Sequence, residues 1–438
     1  MLRLMGALGA CMLAGALVST AAAHATTYYV ATTGSNSNPG TESKPWKTVA
    51  HAVKTMVAGD TTYVRGGTYV EGLIRFSRSG TQAAPIKLLN HPGEAPIINF
   101  IDNVDFNAIL IQSSGGRNGA MGWITIQGFE IRGGYVGIKF FSLHNSEIRN
   151  NWIHDNLHQG VLGGGGHHNV FDGNIVNHNG DFVNCVAGNH CHLSHGFYLG
   201  GNFYIVTNNL FYDNLAHGIQ IAGAYSYNPA TDPGPEFAGA SDWVISHNTF
   251  AYQKYRAGLQ VWNYMSDNHR IENNIFYENN VVGSTSASQG IDFTGNGQSG
   301  NQIRNNLFYA SGSGGQVSID PTATEGLEYT QSGNIINTLD PKFVNAPATL
   351  PPLPNFALKS GSPAIDKGLS PEQSLDSDKG LSPIQSPDSD KGLLFTWTRI
   401  DLKGTPRPQG PAPDIGAYEY RVDGDPHPPD RVQNVQIH

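Results

Sequence analysis

His195 and His217 each stand immediately before a glycine, in SHGFY and AHGIQ, and the outward residues that follow are Tyr198 and Gln220. A third stretch, KYRAGLQVW, adds Lys254, Tyr255, Arg256, Gln260 and Trp262. Imidazole, phenol and amine groups can be tuned by their surroundings to act as base or acid near neutral pH. Guanidinium brings a fixed charge and a two-pronged fork that fits a carboxylate. Gathered together, these types suit β-elimination from a uronic-acid polymer. That reaction needs a cation to neutralise the C5 carboxylate, a base for the C5 proton and an acid for the leaving oxygen. The expected base is His195 or His217, with Tyr198 as acid, Arg256 as carboxylate clamp and Lys254 as substitute base. Gln220, Gln260, Trp262, Tyr225 and Tyr255 are expected to bind substrate, the aromatic rings as flat faces for sugars. Stacked surface histidines and ordinary loop packing are the plainer readings of the same residues.

These stretches share a frame. NNLFYDN from Asn208 nearly recurs as NNWIHDN, HNTFAYQ, NNIFYEN and NNLFYAS. The asparagine before each apolar pair falls at Asn151, Asn174, Asn209, Asn248, Asn274 and Asn306, at intervals of 23, 35, 39, 26 and 32. Gly128 is expected to be an earlier member. A coil of near-constant core with loops of variable length produces such spacing. Alternation in FYIVTNN and HRIENNIF makes the coil β rather than helical. A second column, Gly137, Gly160, Gly196, Gly218, Gly258 and Gly290, marks a bend between short strands. The asparagines are therefore expected to stack and turn the chain, not to do chemistry. Asp155, Asp213 and Glu278 also align, and read as bend formers more than as the paired carboxylates of a hydrolase.

Composition agrees with a turn-rich all-β chain: 438 residues include 53 glycines and only 14% are charged. The net charge of −9 argues against a nucleic-acid partner but leaves room for a local basic cleft on an acidic polysaccharide. Residues 1–25, apolar and small with Ala23 and Ala25 at the end, read as a secretory signal peptide rather than a membrane span. In an exported chain Cys185 and Cys191 are expected to close a disulfide loop. Neighbouring His190, His192 and His195 make a metal site the alternative. The partner expected is an acidic polysaccharide bound by a monomer, secreted or held in the periplasm or at the cell surface.

The stretch from Tyr28 to Tyr69 resembles the opening of exported pectate lyase-like right-handed parallel β-helix proteins, with a strand, an Asn-Pro-Gly turn and an amphipathic helix near 44–58. FALKSGSPAIDKG and DIGAYEY are similar to the closing segment called the choice-of-anchor Q domain. The resemblance implies a β-helix of about ten coils over 26–345, a closing segment over 346–420 and a tail over 421–438. Within the closing segment DKGLSPEQSLDS is duplicated, and 366–392 is expected to be a disordered loop. Pectate lyases of this build often carry an Asp-Asp-Gly-x-Asp calcium cluster at such a bend. Here the matching places read SHGFY and AHGIQ, with Asp292 a lone carboxylate. No cofactor is specified by the motifs, and calcium is the one the resemblance brings. A polysaccharide lyase is the first expectation. A glycoside hydrolase and a non-catalytic carbohydrate-binding or cell-surface protein are the rivals.

Overall fold

The computed structural model describes residues 25–100, 108–114, 119–185, 191–222, 239–263, 265–282, 290–295, 297–310, 317–319, 328–336, 339–347, 354–370, 373–374 and 399–421. The expected signal peptide, the tail beyond 421, Tyr225 and most of the duplicated loop lie outside them. Among the described residues, parallel strands form sheets of 11, 10 and 10 strands. One coil shows the path. Ile205–Thr207 lies in the first sheet, Leu210–Tyr212 in the second and Ile219–Ala222 in the third, before the chain returns to the first at Val244–Ser246. This is a right-handed parallel β-helix.

Alternation explains why an apolar triplet is clamped between asparagines. In Leu210–Tyr212 the middle ring faces the core, where Phe211, Phe250, Phe276 and Phe308 stack with successive centroids 4.9–5.0 Å apart. Leu210 and Tyr212 face the other way, yet they are buried too. The C-terminal chain covers them with Phe343, Phe356, Leu358, Ile415, Ala417 and Tyr418. Its main chain is tied down by Gly416 N donating to Asn273 O at 2.8 Å and Ala417 N donating to Thr249 Oγ1 at 3.1 Å. The described residues just beyond 366 pack on the same coils. Leu369 N donates to Asn273 Oδ1 at 2.8 Å, and buried Ser374 bonds Glu272 and accepts from Arg270.

The asparagine column is continuous and buried. Asn151, Asn174, Asn209, Asn248, Asn274 and Asn306 each accept on Oδ1 from the main chain of the preceding coil. Asn334 extends the ladder by one more rung. Gly128 is not its first member: Glu130 pairs with Trp152, so Phe129 stands opposite Asn151 and its N–H donates to Asn151 Oδ1. Gly128 instead occupies the place of Asn150, Asn208, His247, Asn273 and Asn305, all at φ between 49° and 58°. The left-handed turn therefore belongs to the residue before the ladder asparagine. That division of labour was not separable from the repeated Asn-Asn pair alone. A second ladder, Asn156, Asn179, Asn214, Gln253 and Asn279, closes the turn after the second sheet. Asp155, Asp213 and Glu278 precede it at φ 50°, 55° and 48°, as bend formers.

The bend glycines serve close approach between coils. A Cβ on Gly196 would lie 2.5 Å from Gly218 O, and one on Gly218 would lie 2.7 Å from Gly258 O. At the other end of the solenoid the helix Val49–Thr55 caps the first coil. Thr48 is its N-cap, Glu71 accepts from Val49 N at 2.6 Å, and Val49, Ala52 and Val53 are buried.

Candidate active site

The third sheet sets the outward row in register: Lys139, Leu162, Tyr198, Gln220, Gln260 and Asp292 pair in sequence across neighbouring strands. The bend glycines bring His195 and His217 to the edge of the same strands. Their rings stack at 5.2 Å with an interplanar angle of 20°, and the Tyr198 ring lies against His195 at 5.6 Å and 19°. Both histidines are 2% exposed. Burial, with the nearby charges of His217, His158, Arg256 and His192, holds the His195 imidazole well below its usual range. Burial lowers His217 as well, partly opposed by Asp292. The two rings are therefore neutral near pH 7, the state a base requires.

His217 has a protein group opposite each ring nitrogen. Its Nδ1 lies 3.3 Å from His195 Nδ1, and its Nε2 lies 3.6 Å from Asp292 Oδ2. Asp292 is nearly buried and comes from two coils further on. The intervening bend residue is Ala257, small enough to let the pair meet. Sequence reasoning treated Asp292 as an isolated remnant. The signal that was there is the small Ala257 in a column that holds Gln159, His195 and His217 before it and Gln289 after it.

Arg256 is half-buried on the turn leading into the next strand, where burial lowers its guanidinium pKa and Asp292 raises it. Lys254 is not part of the histidine cluster's contacts. Its ammonium pairs with Asp213 Oδ1 at 2.6 Å, and Asp213 Oδ2 also meets His178 Nδ1 at 2.9 Å. Gln220 is buried between Tyr198 and Gln260, and Gln260 Nε2 donates to Thr294 Oγ1 at 3.0 Å. Trp262 ends its strand on the outward side, and Tyr255 is half-buried beside Arg256. Tyr225 lies outside the described residues. Gln159, which sequence reasoning passed over as a bend residue, donates to Leu193 O at 3.1 Å and pins the short turn Cys191–Leu193 beside His195.

Among the described residues no three His, Cys, Asp or Glu side chains converge as metal ligands. The bend offers imidazoles and a phenol where a calcium site needs several carboxylate or carbonyl oxygens. Asp292, the carboxylate in that row, faces His217. The donor set does not fit calcium.

Three parallel sheets wound about a stacked core, with a polar bend along one of them, define a β-solenoid whose relatives can be named. The Pel9A-like right-handed β-helix family model matches residues 28–307, and the chain belongs to that family. A stretch of 72 residues is 40% identical to pectate lyase PEL9 of Emericella nidulans, covering 16% of this chain and 18% of that protein. Another of 105 residues is 35% identical to the uncharacterized protein YwoF of Bacillus subtilis (strain 168), covering 24% and 22%. The chain thus spans about a fifth of the length of the curated relatives it matches. The crystal structure of pectate lyase Pel9A superposes with a TM-score of 0.53 over 90% of this chain and 96% of that one, at 18% identity, a likeness of fold. Among the described residues no helix is long and apolar enough to cross a membrane.

Proposed function

We propose that this protein is an exported, monomeric polysaccharide lyase that cleaves an acidic, uronate-containing polymer by β-elimination. What carries the reading is the neutral, buried His195 stacked on Tyr198 with a guanidinium on the same bend-lined face. His195 Nε2 takes the C5 proton, and the C–H electrons form the C4–C5 double bond. The C4–O electrons leave with the glycosidic oxygen, which takes the Tyr198 proton. Solvent then relieves His195 of its proton and reprotonates Tyr198. Arg256 neutralises the uronate carboxylate and so acidifies C5–H. Gln220, Gln260, Trp262, Tyr225 and Tyr255 are assigned to binding. The names of pectate lyases PEL9 and Pel9A support a polyuronate among possible substrates. Lys254 is set aside as base because its charge is committed to Asp213.

The test is a panel of pectate, alginate and neutral polysaccharides followed at the ultraviolet band of unsaturated uronate. His195→Gln, which keeps a polar side chain in the buried place, is expected to lower turnover on the polymer that responds by about 10²- to 10⁴-fold, while circular dichroism still shows the folded β-helix. New reducing ends without the chromophore mean hydrolysis, and binding without product means a carbohydrate-binding protein. Either outcome removes the lyase reading.

Cys185 and Cys191 are assigned to a disulfide that closes the loop beside His195. Cys185 N donates to Asp181 O at 3.0 Å, and Cys191 opens the short turn that Gln159 holds. Alkylation of the exported protein without reductant, read by mass, is expected to label neither thiol. Two labels would refute the pairing.

A further inference from the structure

We infer that Asp292 is a positioning residue: from two coils away its carboxylate holds the His217–His195 pair in the tautomer that leaves a lone pair on His195 Nε2. The inference rests on the lyase reading only for its kinetic consequence, since the proton arrangement itself is a property of the folded chain.

Two neutral arrangements compete for the same three groups. In one, the proton of His217 is on Nε2 and faces Asp292 Oδ2 at 3.6 Å, a distance longer than a hydrogen bond but within ion-pair reach. His217 Nδ1 is then an acceptor, His195 donates from Nδ1 across 3.3 Å, and His195 Nε2 is a free base. In the other, His217 donates from Nδ1, His195 accepts on Nδ1, and His195 Nε2 carries a proton it has no use for as a base. The main-chain N–H of His217 also points at His195 Nδ1, 3.2 Å away, and favours this second arrangement. The charge of Asp292 is the counterweight. In the second arrangement the unprotonated Nε2 of His217, which has no hydrogen-bond partner, would face a carboxylate in a buried setting, lone pair against lone pair. The surrounding cations and imidazoles do not replace Asp292: His217, His158, Arg256 and His192 all act to lower His195, whereas Asp292 acts to favour a protonated His217. When His195 takes a proton, the same carboxylate stabilises the imidazolium through His217. A buried aspartate orienting a catalytic histidine is the logic of the serine-protease triad, here with a second histidine between them.

The neutral amide in Asp292→Asn keeps the shape and removes the charge, and its NH₂ can donate to His217 Nε2, which selects the second arrangement. Protein uniformly labelled with ¹⁵N-histidine reads the tautomer directly by long-range proton–nitrogen correlation, with the two signals assigned from His195→Gln and His217→Gln. The expected result is Nδ1–H on His195 in the native chain and Nε2–H in Asp292→Asn. Turnover of the responding polymer should fall about 10²-fold or more with KM within a few-fold, and Asp292→Glu should recover part of it. An Nε2–H tautomer on His195 in the native protein overturns the inference, even if Asp292→Asn does not fold. So does an unchanged tautomer in a folded Asp292→Asn. Absence of any elimination product defeats the lyase reading while the nitrogen spectrum still decides the role of Asp292.

Discussion

Replacing Asn209 by alanine is expected to lower the stability of the protein by roughly 4 kcal/mol. Its Oδ1 accepts from Asn174 N at 2.8 Å and Asn174 Nδ2 at 2.9 Å, while its Nδ2 donates to Phe171 O, Thr207 O and Asn248 Oδ1. All lie in a fully buried turn where water cannot take over. A buried donor or acceptor stripped of its partner costs about 1–3 kcal/mol, and here several lose a partner at once. Since domains are stable by about 5–15 kcal/mol, the loss is a large share. Urea unfolding of the variant against the native chain measures it. Asn334→Ala serves as the control, because Asn334 ends the ladder and is only part-buried. It should cost about 1 kcal/mol. Equal losses at both sites would show that burial of the ladder is not what stabilises it.

The second large effect is acid sensitivity. His269 is fully buried, with Trp243 N donating to its Nδ1 at 3.3 Å and its Nε2 3.0 Å from Ser266 Oγ. Ser266 Oγ donates onward to Ala240 O at 3.3 Å, so the chain of bonds is complete only with a neutral ring protonated at Nε2. Burial pushes the His269 pKa down to about 3. The unfolded chain binds the proton near 6.5, so stability is full above that pH and is lost as pH falls toward 3. The slope from this group is about 1.4 kcal/mol per pH unit, or roughly 4–5 kcal/mol across the window. His195, His217 and His247 shift in the same direction, each chiefly by burial. Asp414 acts oppositely: burial and Glu419 push it up to about 7, so its protonation favours the folded state as pH falls. The raised carboxylates Asp414, Glu419 and Glu71 offset part of the histidine loss, so the readout is a difference: between about pH 6 and 4 His269→Gln should lose less melting temperature than the native chain. If His269→Gln and the native chain lose stability in parallel, His269 is not a cause.

The solenoid was legible because a coil writes its register into the linear sequence. The asparagine before each apolar pair, the glycine before each outward triplet and the alternation between them recur once per turn, so adjacency in space follows from alignment of repeats. That is why Tyr198, Gln220, Gln260 and Asp292 could be placed in one row before any coordinates. A column fixes which residues neighbour each other along the fibre. It does not fix how far a side chain reaches or what covers it. Gly128 was one place out because only strand pairing distinguishes the residue that turns left-handed from the one that bonds. Lys254 sits two residues before Arg256, yet its flexible stem carries the ammonium to Asp213. The meeting of His217 with Asp292 skips a coil whose bend residue is the small Ala257. Leu210 and Tyr212 lie on the outer face of the coil, and the returning C-terminal chain buries them. Period and hydrogen-bonding type determined the fold from sequence, while rotamer reach and the closure of distant chain over each face were decided by tertiary packing.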